Sequence, residues 1–455
     1  MPFRPPLELA LTAALSHLES LQAQPVGAAA SLETLRQRLG KQLAEEGMAP
    51  ECVIEELLRD VEGGLIGSAG GRFFGWVIGG AMPSSLAADW LASTWDQNAG
   101  LYAAGPAAAV VEEVAGGWLK DILGLPAAAS FAFVTGCQMA HTTCLAAARH
   151  AVLARRGWDV EQRGLWGAPP VRVVTSAERH GAIDRALRLL GMGRDCVVDV
   201  AADDSGRLRP EALESMLDDS PTIVLLQAGD LNIGAYDPFA KLIPIAHARG
   251  AWVHVDGAFG LWANATPKYR HLLRGVDQAD SWATDGHKWL NVPYDSGYAF
   301  VVDPEAHRAA MSYRASYLIH DEAARDQLDW TPEWSRRARG FATYAALREL
   351  GRRGVAELVE RCCEYARAIV LGIGALPGAE VVWAPQINQG LVAFGDDART
   401  DAVITSIVAS GEAFFGGTTW RGRRCMRVSV CNWQTSEPDV DRAIAAAARA
   451  LEDHR

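Results

Sequence analysis

Lys288 sits in the run TDGHKWLNVPYDSG, from Thr284 to Gly297, next to His287 and three residues after Asp285. A lysine here is either a solvated surface charge or a reactive amine, and the other chemistry-bearing residues decide between the two. They follow a pattern: each comes just after a short apolar run. Thr135, Gly136, Cys137 and Gln138 follow FAFV; His180 follows VRVVTS; Gln227 and Gly229 follow TIVLL; Asp256 and Ala258 close WVHV; Asp285, His287 and Lys288 follow SWAT. A helix that opens on Gly136 presents backbone N–H groups with no carbonyl to bond, which suits an anion such as phosphate. Taken singly, each residue has a plainer reading. The glycine serves a strand-to-helix turn, His180 is a surface or structural histidine, and Asp256 caps a helix or pairs with a cation.

Joined to a lysine, these groups describe one cofactor. Phosphate binds at the helix opening, an aromatic ring stacks on His180, the Asp256 carboxylate meets a pyridine nitrogen, and Lys288 supplies the amine for a Schiff base; that cofactor is pyridoxal phosphate. The rival chemistry is a metal hydrolase built from His254, Asp256 and His287, since histidine and carboxylate ligate zinc. His254 and Asp256 have strand spacing that puts them on one face, but no signature helix or ligand cluster accompanies them. We therefore expect no metal.

The elements that must position these residues read as α/β. From about residue 130 to 303, β-branched and apolar runs (FAFVTG, VRVVTS, CVVDV, TIVLLQAG, AWVHVDGA, SGYAFVVD) alternate with helical patterns, the signature of βαβ units and a mainly parallel sheet. Ligands of such sheets bind beyond the carboxyl ends of the strands, where the residues above fall. Between two runs, Ile183, Ala186, Leu187 and Leu190 share one helical face, with Gly191 as the stop. A helical stretch from Phe341 to Ile369 leads to AEVVWAP, GLVAF and CMRVSVCNW, a smaller α+β region. At the other end Leu7, Leu11, Ala14, Leu18 and Leu21 recur at helical spacing, an amphipathic helix in want of a partner. The division expected is a helical arm over 1–78 that contacts a second subunit, a large cofactor-binding α/β domain over 79–345, and a small C-terminal domain over 346–455.

Composition limits the partners. A chain of 455 residues, 49% hydrophobic, can bury a large core, and its formal charge of -12 lacks the basic footprint that nucleic acid or an anionic membrane requires. The least polar window, Arg72 to Asp89, is broken by paired glycines and Pro83, so no membrane span is expected. The eight cysteines form no CxxC ladder, and the N-terminus shows no signal-peptide pattern, which fits reduced thiols in the cytoplasm. Asn264-Ala265-Thr266 is read as a chance sequon.

Over most of its length the chain also resembles the fold-type I pyridoxal-phosphate enzymes of the group II amino-acid decarboxylase branch, which includes aromatic amino-acid, glutamate and diaminobutyrate decarboxylases. The likeness runs through RFFGWVIGGAMP, ADWLASTWDQNAGLY, FVTGCQMAHTTCLAAAR, GAYDP, WVHVDGAFG, ATDGHKWLNVPYDSG, PEWSRRARGFATYAALRELG and MRVSVCNWQT, with HVDGA and DGHKW the most specific blocks. It implies a seven-stranded type of large domain, a homodimer with sites at the subunit interface, and decarboxylation of an L-amino acid through a Schiff base on Lys288. It also implies that Asp256 keeps the ring nitrogen protonated, that His180 stacks on the ring and relays a proton, and that small Ala258 lets the ring lie flat. The phosphate would fall to Gly136, Cys137, Gln138 and His287, with Asp285 beside them; cysteine at 137 departs from the usual glycine or alanine. Gln227 stands where relatives carry threonine.

For the substrate the resemblance points to Trp76, Tyr317 and Arg427, and to Asp96, Gln97 and Asn98, whose block resembles the stretch that relatives contribute to the partner subunit's substrate pocket. Core packing is the plainer reading for Trp76, Trp95 and Tyr102, and a domain–domain ion pair for Arg427. The loop tyrosine that protonates Cα in relatives aligns near Gln327; Tyr313 and Tyr317 are the alternatives. Without it, oxygen could intercept the intermediate, as in aldehyde synthases, while an α-carboxylate retained by Arg427 would favour transamination. A cofactor-binding protein without turnover is a further reading, against which the intact Lys288, Asp256 and His180 argue. An unperturbed lysine, at about 10.4, is too protonated to react at neutral pH, so the site is expected to lower it or hold it as the imine.

Overall fold

In the computed structural model, which describes residues 2–313 and 323–454, the strands that carry the chemistry lie side by side in one sheet. They are β1 (Ser130–Val134), β2 (Arg172–Ser176), β3 (Val197–Val200), β4 (Thr222–Gln227), β5 (Trp252–Asp256), β6 (Ser281–Asp285) and β7 (Gly297–Val301), in the order β1-β7-β6-β5-β4-β2-β3. β7 runs antiparallel to both β1 and β6, and the other pairings are parallel. All strands but β7 therefore point the same way and deliver their carboxyl ends to one edge of the sheet.

Strands β1, β4, β5, β6 and β7 are buried along their whole lengths, which is why they read as unbroken apolar runs. Alternate residues feed two cores. Val224, Leu226, Val253, Val255 and Trp282 pack on one face, while Ile223, Leu225, Trp252 and Ala283 pack on the other.

Helices α1 (Arg4–Ser20), α2 (Leu32–Leu39) and α3 (Pro50–Asp60) form the N-terminal arm. α1 buries none of its own side chains: Leu7, Leu11, Leu15 and Leu18 are exposed, and only Leu21, just beyond it, is buried. The stretch after α3 is tied to distant chain. The buried guanidinium of Arg72 donates to the carbonyls of Leu21, Gln22, Gln24, Gly411 and Glu412. The Phe74 N–H donates to Phe414, and the Ser429 N–H to Phe74.

Helices α4 (Pro83–Trp95) and α5 (Pro106–Ile122) precede β1, and α6 (Cys137–Ala154) follows it after two residues. After the short α7 (Val160–Arg163), α8 (Gly181–Leu189) crosses from β2 to β3, burying Ile183, Ala186 and Leu187, and Gly191 terminates it in the left-handed region at φ 74°. Helices α9 (Pro210–Met216), α10 (Phe239–Ala248) and α11 (Pro304–Met311) complete the layers. Then comes α12 (Gly340–Gly374), 35 residues long, whose helical path breaks at Gly351. The expected division at 345/346 falls inside this helix.

A second, antiparallel sheet of order β10-β11-β9-β8 follows. It comprises β8 (Glu380–Trp383), β9 (Gln389–Ala393), β10 (Gly416–Trp420) and β11 (Arg423–Ser429), with α13 (Asp397–Ala409) between β9 and β10 and α14 (Glu437–Asp453) last. β10 was not among the expected strands. Its sequence, GGTTW, opens on two glycines and reads as a turn, yet pairing from Gly416↔Arg427 to Trp420↔Arg423 makes it an edge strand. A capping box between Ser436 and Asp439 starts α14.

Candidate active site

The carboxyl ends of β1, β2, β4, β5 and β6 open onto a cavity of about 950 Å³. Gly136, Cys137 and Gln138 reach it from the start of α6, and His180 from the start of α8. Gln227, Asp256 and Ala258 come from the ends of β4 and β5, and Asp285, His287 and Lys288 from the end of β6. Residues far apart in sequence thus share one chamber because their strands end at the same edge.

At the β6 corner, Lys288 Nζ lies 2.9 Å from Asp285 Oδ2, and the Cys137 N–H donates to Asp285 Oδ1 at 2.6 Å. His287 Nδ1 accepts the Ser296 N–H at 3.1 Å, which leaves Nε2, 3.5 Å from Asp285 Oδ1, to carry the proton. The His287 ring stacks on Tyr294 at 4.3 Å between centroids, and burial lowers the histidine's pKa. Close packing here needs glycine. A Cβ on Gly136, whose φ is 152°, would lie 2.9 Å from His287 Cε1, and one on Gly297 would lie 2.4 Å from the Cα of Gly136.

Two expectations change at this corner. One N–H of the α6 opening is already taken by a carboxylate, so Cys137 is not a free phosphate donor; Gln138, in the same first turn, still lacks a helical carbonyl. Nor do the protein's groups lower Lys288. Burial works against its charge, but Asp285, together with Cys137 and Asp256, outweighs burial and holds the ammonium above the ordinary lysine value. Burial and the facing Asp285 push the Cys137 thiol well up as well.

Asp256 is buried at the end of β5. Its Oδ1 accepts the Ala258 N–H at 3.1 Å, and its Oδ2 is 3.5 Å from His141 Nε2. Burial alone would raise its pKa, but His141, His180 and Lys288 together hold it below the usual carboxylate range. His180 caps α8, its Nδ1 accepting the Ala182 N–H at 3.1 Å; the ring is open at the cavity mouth, while the surrounding walls desolvate it enough to lower its pKa. Gln227 supplies the test of fit. Its side chain is buried in the cavity wall, and its Nε2 donor has no partner among the described residues. A helix opening at one end of the chamber, an orphaned amide donor in its wall, an ionised acid and a lysine are what a pyridine ring bearing phosphate, hydroxyl and aldehyde groups requires. The residues fit pyridoxal phosphate.

Of the expected substrate residues, Trp76 and Arg427 line the cavity. Trp76 is 55% exposed rather than core, its ring against Phe73 and Phe414. Arg427 makes no domain–domain ion pair among the described residues; it donates to the carbonyls of Leu231 at 2.8 Å and Trp76 at 3.0 Å. Asp96, Gln97 and Asn98 do not line the cavity of their own chain. All three are exposed at the end of α4, where Asp96 adopts the left-handed conformation and Asn98 Oδ1 accepts the N–H groups of Gly100 and Arg336. Trp95 packs edge-on against Phe341. Tyr317 lies outside the described residues, Tyr313 is exposed beside Trp334, and Gln327 is fully buried away from the cavity.

The sequence reading passed over Tyr294, Arg185 and His141, which also line the chamber. Tyr294 was in the quoted lysine run. Arg185 and His141 had only helical spacing to reveal them: Arg185 lies five residues after His180, and His141 one turn after Cys137. The metal alternative finds no geometry. Both ring nitrogens of His254 are engaged, by His141 and Ser281, and no group of three or more potential ligands is assembled among the described residues.

This sheet order, with a lysine, two acids and three histidines gathered against a helix opening, defines the class of pyridoxal-phosphate-dependent enzymes. The comparisons narrow the class. The pyridoxal-dependent decarboxylase conserved domain matches residues 33–395. The aromatic-L-amino-acid decarboxylase of Bacillus atrophaeus is 26% identical over 447 residues, covering 94% of this chain and 90% of its own. The L-2,4-diaminobutyrate decarboxylase of Rhizobium meliloti (strain 1021) is 28% identical over 394 residues, covering 82% and 77%. In fold, the crystal structure of Oryza sativa TDC with PLP and tryptamine matches at a TM-score of 0.92 and 22% identity, covering 99% of this chain and 97% of that one. The chain belongs to the pyridoxal-dependent decarboxylase family. It is a carboxy-lyase that uses pyridoxal phosphate to decarboxylate an amino acid. Among the described residues, no helix is long and apolar enough to cross a membrane.

Proposed function

We propose that Lys288 is the covalent anchor of the cofactor, that Asp256 meets its ring nitrogen, and that His180 covers the ring, in an enzyme that converts an L-amino acid to its amine and carbon dioxide. The observation that carries this reading is the convergence of the three side chains on one cavity at the strand ends. When bound, pyridoxal phosphate supplies an electron sink for the pair released as the carboxylate leaves. Ionised Asp256 favours a protonated nitrogen through a charge-assisted hydrogen bond. Gln227 offers its unpartnered Nε2–H to a polar ring substituent, and Ala258 is small enough not to obstruct a flat ring. His180, held by its Nδ1, keeps Nε2 for a proton transfer at the substrate.

Arg427 is the candidate contact for a substrate carboxylate: two of its donors are spent on neutral carbonyls, and among the described residues no carboxylate pairs with it at contact distance, although Asp230 lies near enough to favour its charge. Relatives named for aromatic and for diamino substrates both match this chain, and a screen of amino acids with both classes is the way to choose. The exposed leucines of α1, together with Trp90, Leu91 and Trp95 on α4, favour a homodimer whose arms over 1–78 pack across subunits. A cytoplasmic location fits the eight free cysteines.

The test has two readouts. Borohydride reduction of cofactor-loaded protein should leave a pyridoxyl group on the Lys288 peptide, and Lys288→Ala should lose it. Substrate should yield amine and carbon dioxide. An aldehyde with ammonia and peroxide, or amino exchange that depends on a keto acid, would replace the reading by oxidative deamination or transamination, and an unlabelled Lys288 peptide would remove it.

A further inference from the structure

Asp256 does not end in the protein wall alone; a line of buried polar groups continues behind it. Its Oδ2 is 3.5 Å from His141 Nε2. His141 Nδ1 is 2.9 Å from His254 Nε2, His254 Nδ1 is 2.9 Å from Ser281 Oγ, and Ser281 Oγ accepts the Trp252 indole N–H at 2.9 Å. The histidine rings meet edge to face, with centroids 5.2 Å apart and planes at 89°. His141 comes from α6, His254 from β5 and Ser281 from β6, where His254 and Ser281 are register partners. His141, His254 and Ser281 are 0–1% exposed, so water does not serve these groups and each must satisfy the next.

Donor and acceptor rules fix the direction of the line. The indole can only donate, so Ser281 receives at that end and its hydroxyl proton is free to point onward. An ionised carboxylate can only accept, so the nitrogen of His141 that faces it must carry a proton. In a neutral ring the other nitrogen then accepts, which makes His254 donate from Nε2 and accept from Ser281 at Nδ1. With neutral rings, that arrangement satisfies every member. Its reverse turns a lone pair of His141 toward the carboxylate or makes His141 an imidazolium; at His254 burial keeps the ring neutral, pulling its pKa to about 3. The titratable groups around the line are Asp256, with Lys288 and His180 on its cavity side, and Cys144, whose thiol sits by Ser281.

We propose that His141 and His254 are positioning residues for the decarboxylation: a buried, one-way line of hydrogen-bond donors that fixes the Asp256 carboxylate in its ionised form and orientation, so that the cofactor's ring nitrogen keeps its proton. The proposal rests on the reading that Asp256 meets that nitrogen, and the experiment separates the two. In wild-type holoenzyme labelled with ¹⁵N-histidine, both rings should be neutral Nε2–H tautomers. An Nδ1–H tautomer at either residue, or an imidazolium at His141, overturns the proposal without any variant having to fold.

The second measurement uses holoenzyme loaded with ring-¹⁵N pyridoxal phosphate. His141→Leu and His254→Phe should move the cofactor nitrogen toward its unprotonated resonance and lower kcat about ten- to a hundredfold, the worth of one hydrogen bond to a charged group, with KM little changed. His141→Gln, which restores an N–H toward Asp256 and an acceptor toward His254, should recover most of both. Asp256→Asn is the reference. If it moves the nitrogen and the histidine variants do not, the line of donors is overturned while the site stands; if it too leaves the nitrogen unmoved, the assignment of Asp256 falls and the proposal with it.

Discussion

Asp285→Asn should make Lys288 more reactive, not less. The asparagine keeps the shape and an acceptor for the Cys137 N–H but removes the charge that faces the ammonium. At 2.9 Å, and with an effective dielectric of about 20, two unit charges attract by roughly 6 kcal/mol before desolvation is counted. Lys288 is 23% and Asp285 3% exposed in their side chains, so solvent screens the pair only in part. Breaking a buried pair of this kind costs about 3 kcal/mol net. At about 1.4 kcal/mol per pK unit, the lysine should fall by about 2 units. Since imine formation needs the neutral amine, the rate at which cofactor-free enzyme combines with pyridoxal phosphate should rise up to about a hundredfold near neutral pH. The assay is stopped-flow absorbance over a pH series. A raised lysine pKa stabilises the fold fully below the unfolded value and ceases to do so as pH climbs through the folded one. The variant should therefore also melt lower than wild type at neutral pH, the gap closing only in strong alkali. A rate profile that superimposes on wild type, or one displaced to higher pH, would refute the role given to Asp285.

Arg336 Nη1 lies 2.7 Å from Glu112, with both side chains at most 1% exposed. Arg336→Leu strands that acid and should cost about 3–5 kcal/mol by denaturant unfolding. Arg427→Met should raise KM for the substrate about tenfold or more with cofactor content unchanged; a lower melting temperature with unaltered KM would mark the arginine as packing only. His247 is raised by its bond to Asp280 at 2.9 Å, but its side chain is 39% exposed, so the pair is worth less than about 1 kcal/mol. His247→Gln should lose that stability below about pH 6.5 and match wild type once the pH has risen past the histidine's raised value.

The sheet was legible because its central strands are buried on both faces and so leave unbroken apolar runs between helical periods. The site was legible for the same reason, since a residue that follows such a run must stand at the strand's carboxyl end. Where no run preceded the residue, the reading failed. β10 is an edge strand made largely of glycine and threonine, and only its partner β11 gives it a place. His141 sits inside a helix whose apolar pattern it interrupts by a single residue, and what it touches is decided by β5 and β6, far along the chain. Of the two expectations for Lys288, a lowered amine or an imine, the protein's own groups do not supply the first, because Asp285, which looked like a phosphate-site residue, faces the amine. That its oxygens engage both the amine and the helix opening depends on the turn after β6, which no spacing rule specifies. Asp96, Gln97 and Asn98 were assigned by likeness to relatives to the partner subunit's pocket, and their place outside the chamber of their own chain neither supports nor contradicts that.

The carbonyls gathered by Arg72 belong to residues 21–24 and 411–412. A ribosome makes the first group long before the second, so until the second is made the N-terminal segment has no finished seat. Trp76, a few residues on, forms part of the chamber wall, and its carbonyl waits for Arg427. A nascent chain can assemble its central sheet as it emerges, but the substrate chamber closes only once Arg427 has been made, and a product truncated before residue 411 would be left with one side open.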